Sequence, residues 1–252
     1  SIGASGPGVK HAFSDLLPAP PPLIKRSFRM NGLRVILRAG AVCGWLAVAC
    51  SLRAAGILEE LSPSQQADLK KGAQILVVEE IAGKPWPKVK IYRVIEATPE
   101  EVVAVFSDYT GAKSFVPKLL KSEISKQISP CVAEVDYGVD VPILPDEYYT
   151  VRNSVKFLPP DRYRVEWKLV RAVQTKDSEG MLTVEPYEGK SLMSYHNLVT
   201  PGSSMAVLLR GKAIEQMRQT VEAIGCEVEK QKTSNPAGLS RQVAALRAAL
   251  GQ

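Results

Sequence analysis

Histidine is almost absent from this chain of 252 residues. There are two, and only His196 lies beyond residue 56. Cysteine is nearly as scarce. Cys43 and Cys50 fall within the first 56 residues, which leaves Cys131 and Cys226 for the body of the chain. Neither residue type recurs at metal-ligand spacing, so no zinc site is expected. Cys131 and Cys226 either pair in an oxidising compartment or stay as separately buried thiols. Unbalanced charge is missing too. The net charge is +6, yet residues 1–56 hold seven Lys or Arg against one Asp, and residues 57–252 hold 25 basic and 25 acidic side chains. A phosphate-binding surface needs clustered, uncompensated cations, which argues against nucleic acid as a partner. No phosphate loop and no Ser-His-Asp set at supporting spacing occur either.

What is present begins with a leader. From Met30 the chain reads MNGLRVILRAGAVCGWLAVACSLRAAG. Arg34 and Arg38 make a basic start, Ala39 to Leu52 is an apolar run of fourteen, and Ala54-Ala55-Gly56 offers small residues for cleavage. That is the layout of a signal peptide, and the run is short for a membrane span of about 20 residues. Residues 30–56 are therefore expected to be a signal peptide or N-terminal anchor, with an exported, periplasmic or membrane-associated product starting near Gly56 or Ile57. AVAC at Ala47–Cys50 resembles a lipobox and makes Cys50 a lipid-attachment candidate. KRSFRM is a weak twin-arginine echo, and the Arg-rich, acid-poor composition also fits an organellar transit peptide. Residues 1–29, with their PAPPP stretch, read as upstream or disordered sequence.

The body reads as alternating elements. Ser62, Pro63 and Gln65 form a capping box for a short helix within Leu61–Ala73. QILVVEEI and KVKIYRVIEA flank Gly83-Lys84-Pro85-Trp86-Pro87 and predict a hairpin. Residues 57–86 thus carry an N-terminal helix and an extra strand. Thr98, Pro99 and Glu101 form a second capping box, followed by Val102, Val103, Phe106 and Tyr109 at helical spacing. AKSFVPKLL predicts a second, shorter helical piece. Strands follow from about Ser122 to Thr200. In DRYRVEWKLV, Tyr163, Val165, Trp167 and Leu169 share one face, opposite Arg162, Arg164, Glu166 and Lys168. In EYYTVRNSVKF, Tyr149, Val151, Val155 and Phe157 point inward, with Asn153 the one polar residue among them. A long helix is expected from Ser204 to Lys230, with Met205, Leu208, Leu209, Ala213, Met217, Val221, Ile224 and Val228 as its apolar stripe. Residues 231–252 read as a linker and a short amphipathic helix. A curved antiparallel sheet must bury its apolar face, and one helix cannot fill it, so a cavity between the two is expected.

IEATPEEVVAVFSDYTGAKSFVPKL, with VPILPDEYY, EGMLTVEPYEG and SYHNLVTPGSS, resembles the SRPBCC superfamily in its START-like, coenzyme Q-binding and polyketide-cyclase branch. The resemblance covers residues 87–230. It implies an α+β helix-grip fold: a curved antiparallel sheet wrapped around a long C-terminal helix, with two short helices after the first strand. The chain departs from it at Asp146-Glu147, where START-like domains often carry Arg-Asp. The resemblance further implies binding of a hydrophobic molecule such as a lipid or isoprenoid quinone, with membrane contact during transfer. No cofactor is implied, and a monomer is expected. The candidate ligand-binding residues are Tyr109, Phe115, Tyr149, Val151, Asn153, Trp167, Leu182, Tyr195, Asn197, Met205, Leu209 and Met217. Each of the aromatics and methionines is equally readable as core.

A cyclase-like enzyme is the alternative, with His196 and Tyr195 as its candidate catalytic groups. A partner-binding module with a filled cavity is a third reading. Strand parity puts His196 with Leu192, Ser194 and Leu198, opposite Met193, Tyr195, Asn197 and Val199, which predicts a solvent-facing His196. The same argument exposes Asp136 and Asp140 and turns Val135, Tyr137, Val139 and Val141 inward.

Overall fold

The computed structural model describes residues 56–141 and 143–252. The leader, with Cys43, Cys50 and all but the last residue of the expected cleavage segment, lies outside the described residues. Eight antiparallel strands form one sheet: β1 (Ile75–Glu79), β2 (Lys88–Ile95), β3 (Leu119–Ser129), β4 (Val132–Val139), β5 (Glu147–Leu158), β6 (Arg162–Ala172), β7 (Thr175–Tyr187) and β8 (Lys190–Pro201). Their order is β1-β2-β8-β7-β6-β5-β4-β3. Consecutive strands are neighbours except where β2 joins β8, and this links the expected hairpin to the last strand. Register shifts in β3, between Thr150 and Val151 in β5, and at the start of β7 are the bulges that bend such a sheet.

Both capping boxes form. Ser62 and Gln65 cap α1 (Pro63–Lys70), and Thr98 and Glu101 cap α2 (Pro99–Phe106). The second helical piece shrinks to a 3₁₀ turn at Gly111–Ser114, and β3 begins as early as Leu119. The long C-terminal helix is also shorter at its start than its apolar stripe implied. A separate turn, α3 (Ser204–Val207), precedes α4 (Arg210–Ser234). Met205 and Leu208 consequently leave the stripe and are exposed. Asn235 caps α5 (Pro236–Leu250), which begins without the expected linker.

One core fills part of the concave face. Val102, Val103 and Val105 of α2, Val221, Ile224 and Val228 of α4, and Leu239 and Leu246 of α5 pack on Val155, Tyr163, Val165, Leu182, Val184 and Met193 of the sheet. The tail is therefore part of the core. Arg247 on α5 reaches Glu100 on α2 through Nε at 3.1 and 3.2 Å, and the Tyr163 hydroxyl donates to the same carboxylate at 2.6 Å.

The convex face is not simply wet. Ile57, Leu61 and Leu69 pack against Ile75, Tyr92 and Leu192. This covers His196, which is 7% exposed rather than solvent-facing. Parity put it on the correct side of the sheet. What parity does not see is an upstream segment lying across that side. Cys131 and Cys226 are both free, and the Cys131 thiol donates to the Ala249 carbonyl at 2.9 Å.

Candidate functional site

The rest of the concave face is hollow. A cavity of about 320 Å³ lies between the sheet and the N-terminal half of α4. Leu209, Ala213 and Met217 form its roof, and Phe115, Val116 and Pro117 close one side. The sheet supplies its floor by the alternation already noted: Tyr149, Val151 and Asn153 from β5, Trp167 from β6, Tyr195 and Asn197 from β8. At the open end, the β1–β2 loop leans over α3, where the Trp86 indole N–H donates to the Val207 carbonyl at 3.4 Å.

Nine of the twelve candidate ligand-binding residues therefore border one space. Tyr109, Leu182 and Met205 do not. Tyr109 turns away into a separate cluster with Ala133, Val135 and Tyr137, because the turn after α2 carries it to the β3–β4 edge. Leu182 is fully buried in the packed half. Met205 is 56% exposed on α3, outside the helix whose stripe it was expected to join. Phe106, Tyr137, Val139 and Val141 line the cavity without having been listed as candidates. Strand parity had turned Tyr137, Val139 and Val141 inward, and that was the available signal. Phe106 was indistinguishable from helix core.

Aromatic rings form a continuous strip along the wall. Trp167 and Tyr195 stand 5.1 Å apart between ring centres, and Phe106 stands 6.1 Å from Trp167. Gly180 makes this possible. A Cβ there would fall 2.3 Å from Trp167 Cζ2 and 2.4 Å from the His196 carbonyl oxygen, so only glycine lets the indole lie against the sheet.

The cavity is poor in ionisable groups. Burial, and to a lesser degree the nearby Glu147, pushes the Tyr149 phenol up to about 12. Burial first, then Tyr149, drives the Tyr195 phenol further up still. Both hydroxyls are therefore neutral donors at ordinary pH, and neither is a base. Glu147 borders the cavity but is engaged. Its carboxylate accepts the backbone N–H of Gln174 at 3.0 Å and of Thr175 at 3.0 Å. Lys212, on α4, is exposed.

His196, the other candidate catalytic group, lies on the opposite face of the sheet. Its Nε2 is 3.4 Å from Glu60 Oε2, which also accepts from the Tyr92 hydroxyl at 2.8 Å. Burial lowers its pKa, Glu60 works against that, and Lys88, Lys90 and Arg164 add to it. Its imidazole does not reach the cavity.

The sequence matches no family model and no curated protein. The fold is another matter. This chain has the START-like helix-grip fold. A STAR-related lipid transfer protein from Xanthomonas axonopodis superposes with a TM-score of 0.56 at 16% identity, over 62% of this chain and 93% of that one. Human STARD10 superposes at 0.51 with 14% identity, over 69% of this chain and 82% of its own. An aromatase/cyclase from a Streptomyces species, Zhui, is more distant at 0.44 and 16%, over 58% and 96%. At these identities the likeness is one of fold alone. The START-like fold accounts for the sheet, α2, α4 and the space between them.

Proposed function

We propose that this protein binds a hydrophobic small molecule, a lipid or a similar apolar compound, as a non-catalytic carrier. One observation carries the reading: a cavity of about 320 Å³ walled by aliphatic and aromatic side chains in the middle of the domain. That volume lies within the range of about 300–1,000 Å³ usual for small-molecule sites. Filling it with apolar surface is favourable by about 25 cal/mol per Å² removed from water. The Xanthomonas relative in fold is named for lipid transfer, which adds support. A cyclase would need a general acid or base at the substrate. Among the described residues no histidine lines this cavity, and the two phenols on its floor are held neutral.

The rim supports contact with a membrane while the ligand is exchanged. Ile143 is 86% exposed, Leu208 79% and Val173 73%. Each sits one residue from a cavity-lining neighbour: Leu144, Leu209 and Gln174. Export through the leader belongs to the same proposal and would place the protein beside a bilayer as a monomer.

Purified protein extracted with organic solvent and analysed by mass spectrometry tests the main reading. A stoichiometric apolar compound is expected, and a cavity that neither carries nor takes up any apolar molecule would refute it. Intact-mass analysis tests export. A start near Gly56 or Ile57 is the expected result, a start at Cys50 with acyl mass would replace it with a lipoprotein, and residues 30–50 retained without lipid would refute cleavage.

A further inference from the structure

The floor of the cavity carries two polar side chains that no protein group satisfies. Asn153 is 3% exposed and Asn197 9%, and both line the cavity. Asn153 Nδ2 and Asn197 Oδ1 are buried without a hydrogen-bond partner. The Asn197 amide nitrogen has only a 3.9 Å contact with Met217 Sδ. A buried amide group without a partner is a loss of about 1–3 kcal/mol that folding alone does not recover. Asn153 was the one polar residue in an otherwise apolar inward row. Two such groups bordering the same empty space are placed for something that enters it.

Their positions are related. Asn153 pairs with Trp167, Trp167 with Gly180, and Gly180 with Asn197, so the four residues form one row across β5, β6, β7 and β8. Three strand spacings put the two asparagine Cα atoms roughly 14 Å apart measured along the sheet. One small polar group cannot be held by both. Between them lies the Trp167 ring, flanked by Tyr195 at 5.1 Å and offering only apolar surface and ring faces. Ionised headgroups find no partner along this row. The charged residues that border the cavity are Glu147, committed to backbone N–H groups, and Lys212, which is exposed. Burying a charge at the floor would leave it unpaired.

We infer that Asn153 and Asn197 are specificity residues for an uncharged ligand with two hydrogen-bonding groups. A flat or ring-like apolar body lies on Trp167, an acceptor such as a ketone oxygen meets Asn153 Nδ2, and a hydroxyl donates to Asn197 Oδ1. This rests on the hydrophobic-carrier reading and narrows it, away from single-chain fatty acids and towards oxygenated ring compounds with polar groups at opposite ends.

A rigid scaffold that differs only in its oxygens tests this: androstane, the mono-ketone, the mono-alcohol, and the hydroxy-ketone with its oxygens at opposite ends. Each is titrated into the purified protein by displacement of a fluorescent apolar probe. Each satisfied amide is expected to strengthen binding about fivefold, so the hydroxy-ketone exceeds the hydrocarbon about 25-fold. Asn153→Leu is expected to remove the gain from the ketone alone and Asn197→Leu the gain from the alcohol alone. Both variants are expected to melt no lower than the parent without ligand, because the lost groups have no protein partner to leave behind. Equal affinity of the unaltered protein for all four compounds overturns the inference and leaves the carrier reading standing, since the hydrocarbon still binds. An oxygen preference that survives both leucine variants also overturns it. Binding of none of the four refutes the carrier reading as well.

Discussion

Along β5, Val155 and Phe157 pack into solid core, while Tyr149, Val151 and Asn153 on the same face border empty space. β8 divides likewise, with Met193 on the packed side and Tyr195, Asn197 and Val199 on the hollow side. So does α4, where Val221 and Val228 are fully buried while Ala213 and Met217 roof the cavity. Both halves share strands, sheet curvature and covering helix. What differs is what else arrives. The packed half receives α2 and α5, each bringing aliphatic side chains. The hollow half receives only a 3₁₀ turn and two loops, which can form a rim but cannot fill the space. Hollowness here is a shortage of covering elements, and the floor residues are correspondingly larger, flatter and more polar than those beneath α2.

The largest test of this division is Leu182→Ala. It removes a fully buried side chain from the packed half and is expected to cost about 3 kcal/mol in denaturant melts. Ligand affinity of the folded fraction should stay within twofold, because Leu182 does not line the cavity. A loss below about 1 kcal/mol would mean that the packed half has slack and the comparison fails. Gly180→Ala comes next. Its new methyl would meet the indole and a backbone carbonyl, and an overpacked site of this kind costs about 1–3 kcal/mol. Here both stability and affinity should fall, since the ring that moves is also cavity wall. Trp167→Ala should lose stability through its contacts with Phe106 and Tyr195 and should also weaken ligand binding about tenfold. A stability loss without an affinity change would place Trp167 wholly in the packed half.

Phe115→Ala should show the opposite balance, with a melt close to that of the parent and weaker binding in proportion to the apolar area it covers. Replacing the exposed Leu208 by Asp should leave both melt and binding in solution unchanged and slow ligand delivery to liposomes in a transfer assay. Equal delivery by parent and variant would remove the rim from the mechanism. The smallest effect is expected from His196→Asn. The histidine pKa is lowered in the folded state, so the unfolded chain binds the proton more readily. Its contribution to stability is full above the ordinary histidine value of about 6.5 and is lost as pH falls towards the lowered folded value. The variant should show a flatter acid limb in pH-dependent melts and an unaltered ligand affinity. Affinity lost as severely as in Phe115→Ala would contradict the assignment of His196 to the convex face.

Strand faces were legible in the sequence because a period of two is set by the backbone, and DRYRVEWKLV and EYYTVRNSVKF keep it without error until the bulge at Thr150. The two capping boxes were legible for the same reason, since they are local. What lay beyond reach depends on distant partners. Leu239 and Leu246 mark an amphipathic helix, yet nothing in their spacing names α2 as its seat. Leu182 and Val151 are both inward aliphatics, and only the placement of α2 makes one core and the other wall. Met205 matches the helical period of α4 but is cut off by the break at Leu208–Leu209, which breaks no pattern in the sequence.

The clasp between α5 and α2 has a consequence for how the molecule comes into being. Arg247 closes on Glu100 across 147 positions of chain, and the Tyr163 hydroxyl joins the same carboxylate. During synthesis the ribosome releases α2 long before α5. Until then the valines of α2 can meet the sheet but lack their second neighbour. The packed half is therefore completed last, in the order of translation, although it is the more stable of the two. Nascent chains arrested before Pro236 should be cut by protease within α2, and chains released after Leu250 should resist. Equal resistance at both stages would show that the sheet and α4 suffice to seat α2.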